Sequence, residues 1–176
     1  MKVTREDGYT LVELLTVMVI LGTVMGGLTT LFVHAANAEV DLNNRFQAQQ
    51  HARLALDKLR RETHCASQAS VATSSSVTLA LGAYCATGSG SVTWCTVGSG
   101  SRYGLYRKAG TSCDSSGIKW ADHLTTGAVF TYVPQSTQTL SKLRVALPVN
   151  VNTSKSVQAY ELVDEIALRN SVRANP

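Results

Sequence analysis

The chain has 176 residues, of which 44% are hydrophobic, 16% charged and 6% aromatic. This length suits one domain plus an anchor, and the hydrophobic content argues against wholesale disorder. The 16 basic and 12 acidic side chains give a net charge of +4, which by itself is too small to indicate nucleic-acid binding. Only three residues are proline, which excludes a proline-rich linker.

An apolar segment lies near the N-terminus, where Leu14 to Val33 contain no Asp, Glu, Lys or Arg. As a helix this segment would be about 30 Å long, which matches the thickness of a bilayer core. Lys2 and Arg5 precede it. The positive-inside rule therefore predicts a single-pass membrane segment, with residues 1–8 in the cytoplasm and the C-terminus outside.

Two ordinary interpretations of this segment are a permanent signal anchor and a cleaved secretory signal. Ala36-Asn37-Ala38 fits the small-x-small pattern of signal peptidase, and a cut after Ala38 would leave Glu39 as the first residue. The apolar segment is, however, longer than the usual signal-peptide core of about 7–15 residues. Under either interpretation, the remainder would be an exported binding or enzyme domain.

A third interpretation starts from an acid, Glu13, at the edge of the apolar segment, and from Gly8, which precedes it. A carboxylate in a membrane-facing helix is costly and usually persists because another group pairs with it. The stretch from Glu6 to Ile20, EDGYTLVELLTVMVI, resembles the prepilin N-terminus of type IV pilins and type II secretion pseudopilins.

This resemblance implies a processing site and an assembly residue. Prepilin peptidase would cut after Gly8 and methylate the new N-terminal residue, Tyr9, where the family usually has Phe. Glu13 corresponds to the glutamate of the family motif, and Gly22 falls where such helices often carry glycine. After the cut, the Tyr9 amine of one subunit is expected to pair with Glu13 of a neighbour, which sets register more than stability. The helix-kinking proline of many major pilins is missing through Val33.

The expected organisation has four parts. Residues 1–8 are a leader peptide, residues 9–33 a transmembrane and filament-core helix, and residues 34–64 its amphipathic continuation. Residues 65–176 form a β-rich extracytoplasmic domain. The continuation contains neither Gly nor Pro, and apolar or small residues recur at three- and four-residue spacing. Members of this stripe are Ala35, Ala38, Leu42, Phe46, Gln49, Ala52, Leu56, Leu59 and Thr63.

Six charged residues of the continuation are predicted to lie largely off this stripe. They are Arg45, Arg53, Asp57, Arg60, Arg61 and Glu62. Since pilus-like systems also take up DNA, the arginines raise DNA contact as an alternative function. A solvated face or contacts with partner carboxylates are favoured instead, because no aromatic residues interleave with the basic ones.

The second part of the chain alternates short β-prone runs with turn residues. Residues 77–81, 91–97 and 103–107 are predicted to form a three-stranded antiparallel meander. Further strands are expected at 128–133, 143–149 and 157–163, and a short helical turn at 120–124.

The four cysteines, Cys65, Cys85, Cys95 and Cys113, have no C-x-x-C spacing, which argues against a zinc site. An even number in an exported domain predicts two disulfides. If the strands of the meander begin and end near these cysteines, Cys85 and Cys113 lie at one end of the sheet. The expected pairing is therefore Cys65–Cys95 and Cys85–Cys113.

The sequence contains none of the common nucleophile, phosphate-binding, zinc or dinucleotide motifs, and we expect no catalytic residue, metal or cofactor. The predicted fold is α+β and pilin-like, with a long N-terminal helix packed on a disulfide-linked antiparallel sheet. The predicted function is structural: a minor pilin or pseudopilin, resembling the larger subunits of the PilW or J-type kind. Its partners would be prepilin peptidase and other subunits, first in the cytoplasmic membrane and then in a pilus or pseudopilus at the cell surface.

Overall fold

The computed structural model describes residues 8–136, 138–152 and 159–171, which form one helix followed by eight strands. The helix is α1 (Leu11–Cys65). The strands are β1 (Ala66–Thr73), β2 (Ser76–Leu81), β3 (Gly90–Ser99), β4 (Arg102–Ala109), β5 (Ile118–Leu124), β6 (Phe130–Val133), β7 (Lys142–Val149) and β8 (Tyr160–Ala167). The α+β, pilin-like fold predicted from the sequence is confirmed.

All strand pairs in the sheet are antiparallel. The strand order is β1-β2-β3-β4-β5-β7-β6, and β8 also pairs with β7. The predicted meander is confirmed as β2, β3 and β4, whose ladders run from Ser76↔Cys95 to Ser99↔Arg102. The last strand begins at Tyr160, later than the predicted 157–163, of which residues 157 and 158 lie outside the described residues.

The chain divides into two compact units, residues 1–43 and 44–176. In the first unit, the described residues from 8 to 40 are solvent-exposed throughout. The second unit contains the last turns of α1 and the whole sheet, and its hydrophobic core lies between them.

The helix contributes one face to this core. Its buried residues are Ala48, Ala52, Ala55, Leu56, Leu59, Glu62 and Thr63. The predicted stripe is therefore confirmed for its last four members, from Ala52 to Thr63. It is wrong for Phe46, which is 65% exposed, because Ala48 rather than Phe46 faces the sheet. Alanines at this face have small side chains, which allow the helix backbone to approach the strands closely.

Glu62 was predicted to lie off the buried face, and this prediction is wrong. Its side chain is fully buried, and the Trp94 indole donates a hydrogen bond of 2.8 Å to Oε2. Arg107 Nε donates to Oε1 at 2.9 Å, and Arg107 Nη2 lies 2.8 Å from the same oxygen. Lys58 Nζ, one turn earlier, is 3.5 Å from Oε1. A charge pattern along one helix could not indicate this burial, because Trp94 and Arg107 lie on β3 and β4.

A second set of polar contacts joins α1 to β8. Arg60 forms an ion pair with Asp164 at 2.8 Å, and Arg53 donates a hydrogen bond of 3.2 Å to the Tyr160 hydroxyl. Two of the arginines in the predicted basic cluster therefore attach the helix to the sheet.

The helical turn predicted at 120–124 is wrong, because these residues belong to β5. Pairing with β4 decides the conformation, although the ladder is irregular near Leu105. His123 has a positive φ of 62°, a backbone conformation that is uncommon outside glycine. Trp120 lies against Trp94, with 5.8 Å between ring centroids.

Two disulfides are present, as predicted, but the predicted pairing is wrong. Cys65 is bonded to Cys85, and Cys95 to Cys113. The sequence did not predict β1, which pairs Ala66 with Leu81 at the end of β2. This hairpin brings Cys65 to the end of the sheet where Cys85 lies.

The second pairing follows from the middle of β3. Cys95 lies opposite Tyr106 rather than at a strand end, and the segment after β4 folds back until Cys113 Sγ is 3.9 Å from the Tyr106 carbonyl oxygen. Asp114 holds this segment by accepting hydrogen bonds from Lys108 and Ser116. The Lys108 ammonium, with help from Ser116, holds the pKa of the Asp114 carboxyl well below its usual range.

Replacing Glu62 with Gln is expected to lower the free energy of unfolding by about 3 kcal/mol, because Arg107 would remain largely buried without its counter-charge. Denaturant unfolding of the full chain in detergent micelles, followed by tryptophan fluorescence, measures this loss. Both tryptophans, Trp94 and Trp120, lie in the second unit and report its unfolding.

The matched control is Asp57→Asn, which breaks an ion pair with Arg60 whose side chains are 54% and 43% exposed. Exposed pairs contribute about 0–1 kcal/mol, so this variant should unfold close to the wild type. Equal losses in the two variants would contradict the importance of Glu62.

Peptide mapping without reduction is expected to find Cys65 joined to Cys85 and Cys95 joined to Cys113. Trypsin is unsuitable, because no Lys or Arg lies between Arg61 and Arg102. Chymotrypsin cuts after Tyr84 and Trp94 and therefore separates the first three cysteines. A peptide joining Cys65 to Cys95 would show that the observed pairing is wrong.

Candidate processing and assembly site

The residues after the predicted cleavage point form the start of α1. Gly8, Tyr9 and Thr10 precede the helix, which begins at Leu11. The Thr10 carbonyl accepts a hydrogen bond of 3.1 Å from the Glu13 N–H, and Thr10 Oγ1 lies 3.4 Å from the same nitrogen. Thr10 is therefore the N-cap of the helix.

Glu13 occupies the third helical position, which gives Thr10 and Glu13 the spacing of a capping box. Its carboxylate lies in the first turn, where the helix dipole favours a negative charge. This capping position was not predicted from the sequence, although the Thr-x-x-Glu spacing alone could have indicated it. Within the chain, the backbone N–H of Glu13 makes the cap contacts, and its side chain remains exposed.

The bond between Gly8 and Tyr9 is not covered by any described part of the chain. Tyr9 is 83% exposed, and a Cβ added to Gly8 would meet no atom within 4 Å. The other residues of the predicted leader, 1–7, lie outside the described residues.

Among the described residues, one helix, α1, is long and apolar enough to cross a membrane. Its most apolar stretch is not buried within the chain. Its large side chains are exposed, such as Leu15 at 57%, Ile20 at 63% and Phe32 at 71%. An apolar surface of this extent indicates contact with lipid or with other apolar helices.

Polar groups within this stretch are satisfied by the helix itself. The hydroxyls of Thr16, Thr23, Thr29 and Thr30 each donate a hydrogen bond of 2.8 Å to a carbonyl three or four residues earlier. Such bonds allow threonine to lie in a nonaqueous environment. At Gly22, an added Cβ would meet nothing within 4 Å, so no contact within the chain requires glycine there.

The arginines considered for DNA contact do not form one continuous exposed basic surface. Arg53 and Arg60 are held by Tyr160 and Asp164 of β8. Their guanidinium groups therefore serve the attachment of the helix, and across the described residues these arginines form no continuous basic track for a phosphate backbone.

A cleft of about 450 Å³ lies between α1 and β5 and contains His51, Lys119 and Asp122 in its walls. Burial acts to raise the pKa of Asp122, but the hydrogen bonds from Lys119 and from the His123 N–H prevail and lower it. The pKa of Lys119 is raised in turn by its hydrogen bond to Asp122. The two charges neutralise each other, and in the part of the chain that is described no three metal-ligating side chains converge.

A family profile described as the prokaryotic N-terminal methylation motif matches residues 4–29. This range includes Gly8, Tyr9, Glu13 and Gly22. No curated protein and no solved structure matches the chain. The match supports a prepilin-type N-terminus at the start of the long apolar helix α1.

Proposed function

We propose that this chain is a minor pilin or pseudopilin, a non-catalytic subunit of a type IV pilus-like or type II secretion filament. The observation that carries the proposal is the methylation motif at residues 4–29. It lies at the start of a helix whose apolar side chains have no partners within the described first unit. A filament of packed helices supplies the contacts that this surface lacks.

In the proposed maturation, prepilin peptidase removes residues 1–8 on the cytoplasmic side and methylates the amine of Tyr9. The exposed position of Gly8 and Tyr9, before the first helical turn, favours access of the peptidase to this bond. The cut leaves Thr10 and Glu13 in place, so the helix keeps its N-terminal cap.

In the proposed assembly, the Tyr9 amine of one subunit pairs with the Glu13 carboxylate of the next. A positive amine at a helix N-terminus is unfavourable because the helix dipole is positive there. A carboxylate from a neighbour relieves this repulsion, and the amine in turn offsets the cost of desolvating that carboxylate. The pair therefore fixes the axial register between adjacent subunits.

The proposed location follows from the same elements. The chain crosses the cytoplasmic membrane once, with its C-terminus outside, and then moves into the filament at the cell surface. The two disulfides of residues 65–113 support an oxidising location for the sheet. In the transfer, the apolar stretch exchanges lipid for the helices of other subunits.

The rival function is an exported binding or enzyme domain behind an ordinary anchor or a secretory signal cut after Ala38. In the structure, α1 continues without interruption through Ala38, so that cut would fall inside a helix. The three possibilities predict different N-termini: Tyr9 for a pilin, Glu39 for a secreted domain and Met1 for a plain anchor.

Expression of the full chain with a prepilin peptidase is expected to yield a product that begins with N-methylated tyrosine. Intact-mass measurement and N-terminal sequencing detect both the cut and the methyl group. Gly8→Val should abolish the cut, whereas Gly22→Ala, within the same motif, should leave it unchanged. A product beginning at Met1 or Glu39 would refute the proposed maturation.

Two substitutions separate the assembly role of Glu13 from its capping role. Glu13→Gln keeps a residue suited to a capping box but removes the charge, and should reduce incorporation into filaments about tenfold or more. Thr10→Ala removes the cap hydroxyl but keeps the charge, and should leave incorporation near the wild-type level.

Quantifying the subunit in sheared filaments, relative to its amount in membranes, measures incorporation. Normal incorporation of the Glu13→Gln variant would contradict the proposed pairing of Glu13 with the Tyr9 amine. An equal defect in both variants would instead assign Glu13 to helix capping alone.

A further inference from the structure

The sheet curls until its edge strand β1 approaches its other edge strand, β6. In the described residues, β1 pairs only with β2, and β6 only with β7. The two edges are joined at one end, where the N–H groups of Val129 and Phe130 both donate to the Ser74 carbonyl at 2.9 Å. Away from this end the edges separate.

The separation has a local cause. Pro134 follows directly after β6 and has no N–H to donate, so its backbone nitrogen cannot form a hydrogen bond that would close the gap to β1. Between the separated edges lies a groove of about 540 Å³, which we call the seam groove. Its volume falls within the range of small-molecule sites, about 300–1,000 Å³.

The walls of the seam groove carry no charged side chain among the described residues, and eight of its twelve lining residues bear a hydroxyl or a carboxamide. Ser141 and Ser171 bond to each other at 3.3 Å and form part of its wall. In contrast, the side chains of Gln68, Ser70 and Tyr132 make no hydrogen bond to a described residue and remain available to a ligand.

One further polar atom in the groove lacks a partner. Gln135 Oε1 is buried and accepts no hydrogen bond in the described structure. Leaving such an acceptor unsatisfied costs about 1–3 kcal/mol, and rotation of the Gln135 carboxamide toward a ligand donor would recover part of this cost. The Tyr132 side chain, 36% exposed, adds an aromatic surface to the wall of the groove.

From these groups we infer that the seam groove binds a neutral carbohydrate. An ionic ligand would be desolvated without a counter-charge, and a purely apolar ligand would leave the hydroxyls and the carboxamides unpaired. A sugar offers many hydroxyls for the polar walls and a C–H face for the tyrosine ring. This inference does not depend on the proposed filament role.

The test is calorimetric titration of the full chain in phosphatidylcholine nanodiscs, which avoid sugar-based detergents. The probes are cellotetraose, maltotetraose and chitotetraose, and a blocked Val-Thr-Val-Thr peptide serves as a competing class of ligand. At least one tetrasaccharide should bind. Tyr132→Ala should weaken its affinity about tenfold, and Gln135→Leu about fivefold.

The matched control is Tyr84→Ala, which removes a tyrosine that is 97% exposed and lies outside the groove, and should leave the affinity unchanged. Gln135→Leu also removes the unsatisfied oxygen, so it should unfold at no lower denaturant concentration than the wild type. Absence of binding by all three sugars, or binding that Tyr132→Ala leaves unchanged, would overturn the inference. Binding of the peptide alone would make the groove a strand acceptor instead.

Discussion

The buried carboxylate of Glu62 joins three elements of the second unit, namely α1, β3 and β4. It accepts hydrogen bonds from Trp94 of β3 and Arg107 of β4, and it lies on the helix face that the sheet covers. Since a buried charge is tolerated only with its partners in place, the helix can dock in one register and at one rotation. Leu59 and the buried alanines lie on this same face of the helix.

Local patterns predicted the elements that depend on local chemistry. The uninterrupted apolar run and the absence of Gly and Pro after it predicted the long helix, which the structure has from Leu11 to Cys65. Alternating β-prone runs predicted the meander of β2, β3 and β4. The motif around Gly8 and Glu13 is contiguous in sequence, so the candidate processing site could be recognised without any tertiary information.

Features set by distant contacts could not be predicted in this way. The pairing of Cys65 with Cys85 depends on the β1–β2 hairpin. The sequence of β1, ASQASVAT, consists mainly of small and polar residues and does not indicate a strand. In the sequence, Glu62 cannot be distinguished from a surface acid, because its partner Arg107 lies on a distant strand. The seam groove is likewise invisible in the sequence, because it combines separate segments that meet only when the sheet curls.

The bond between Cys65 and Cys85 has a mechanical consequence. The helix passes into β1 without an intervening loop, so tension applied along α1 reaches the edge strand at Ala66, where peeling from Leu81 would begin. The disulfide joins the last helical residue to the segment beyond β2 and therefore carries this load covalently. A pulled subunit would thus transmit force around the β1–β2 hairpin rather than through it.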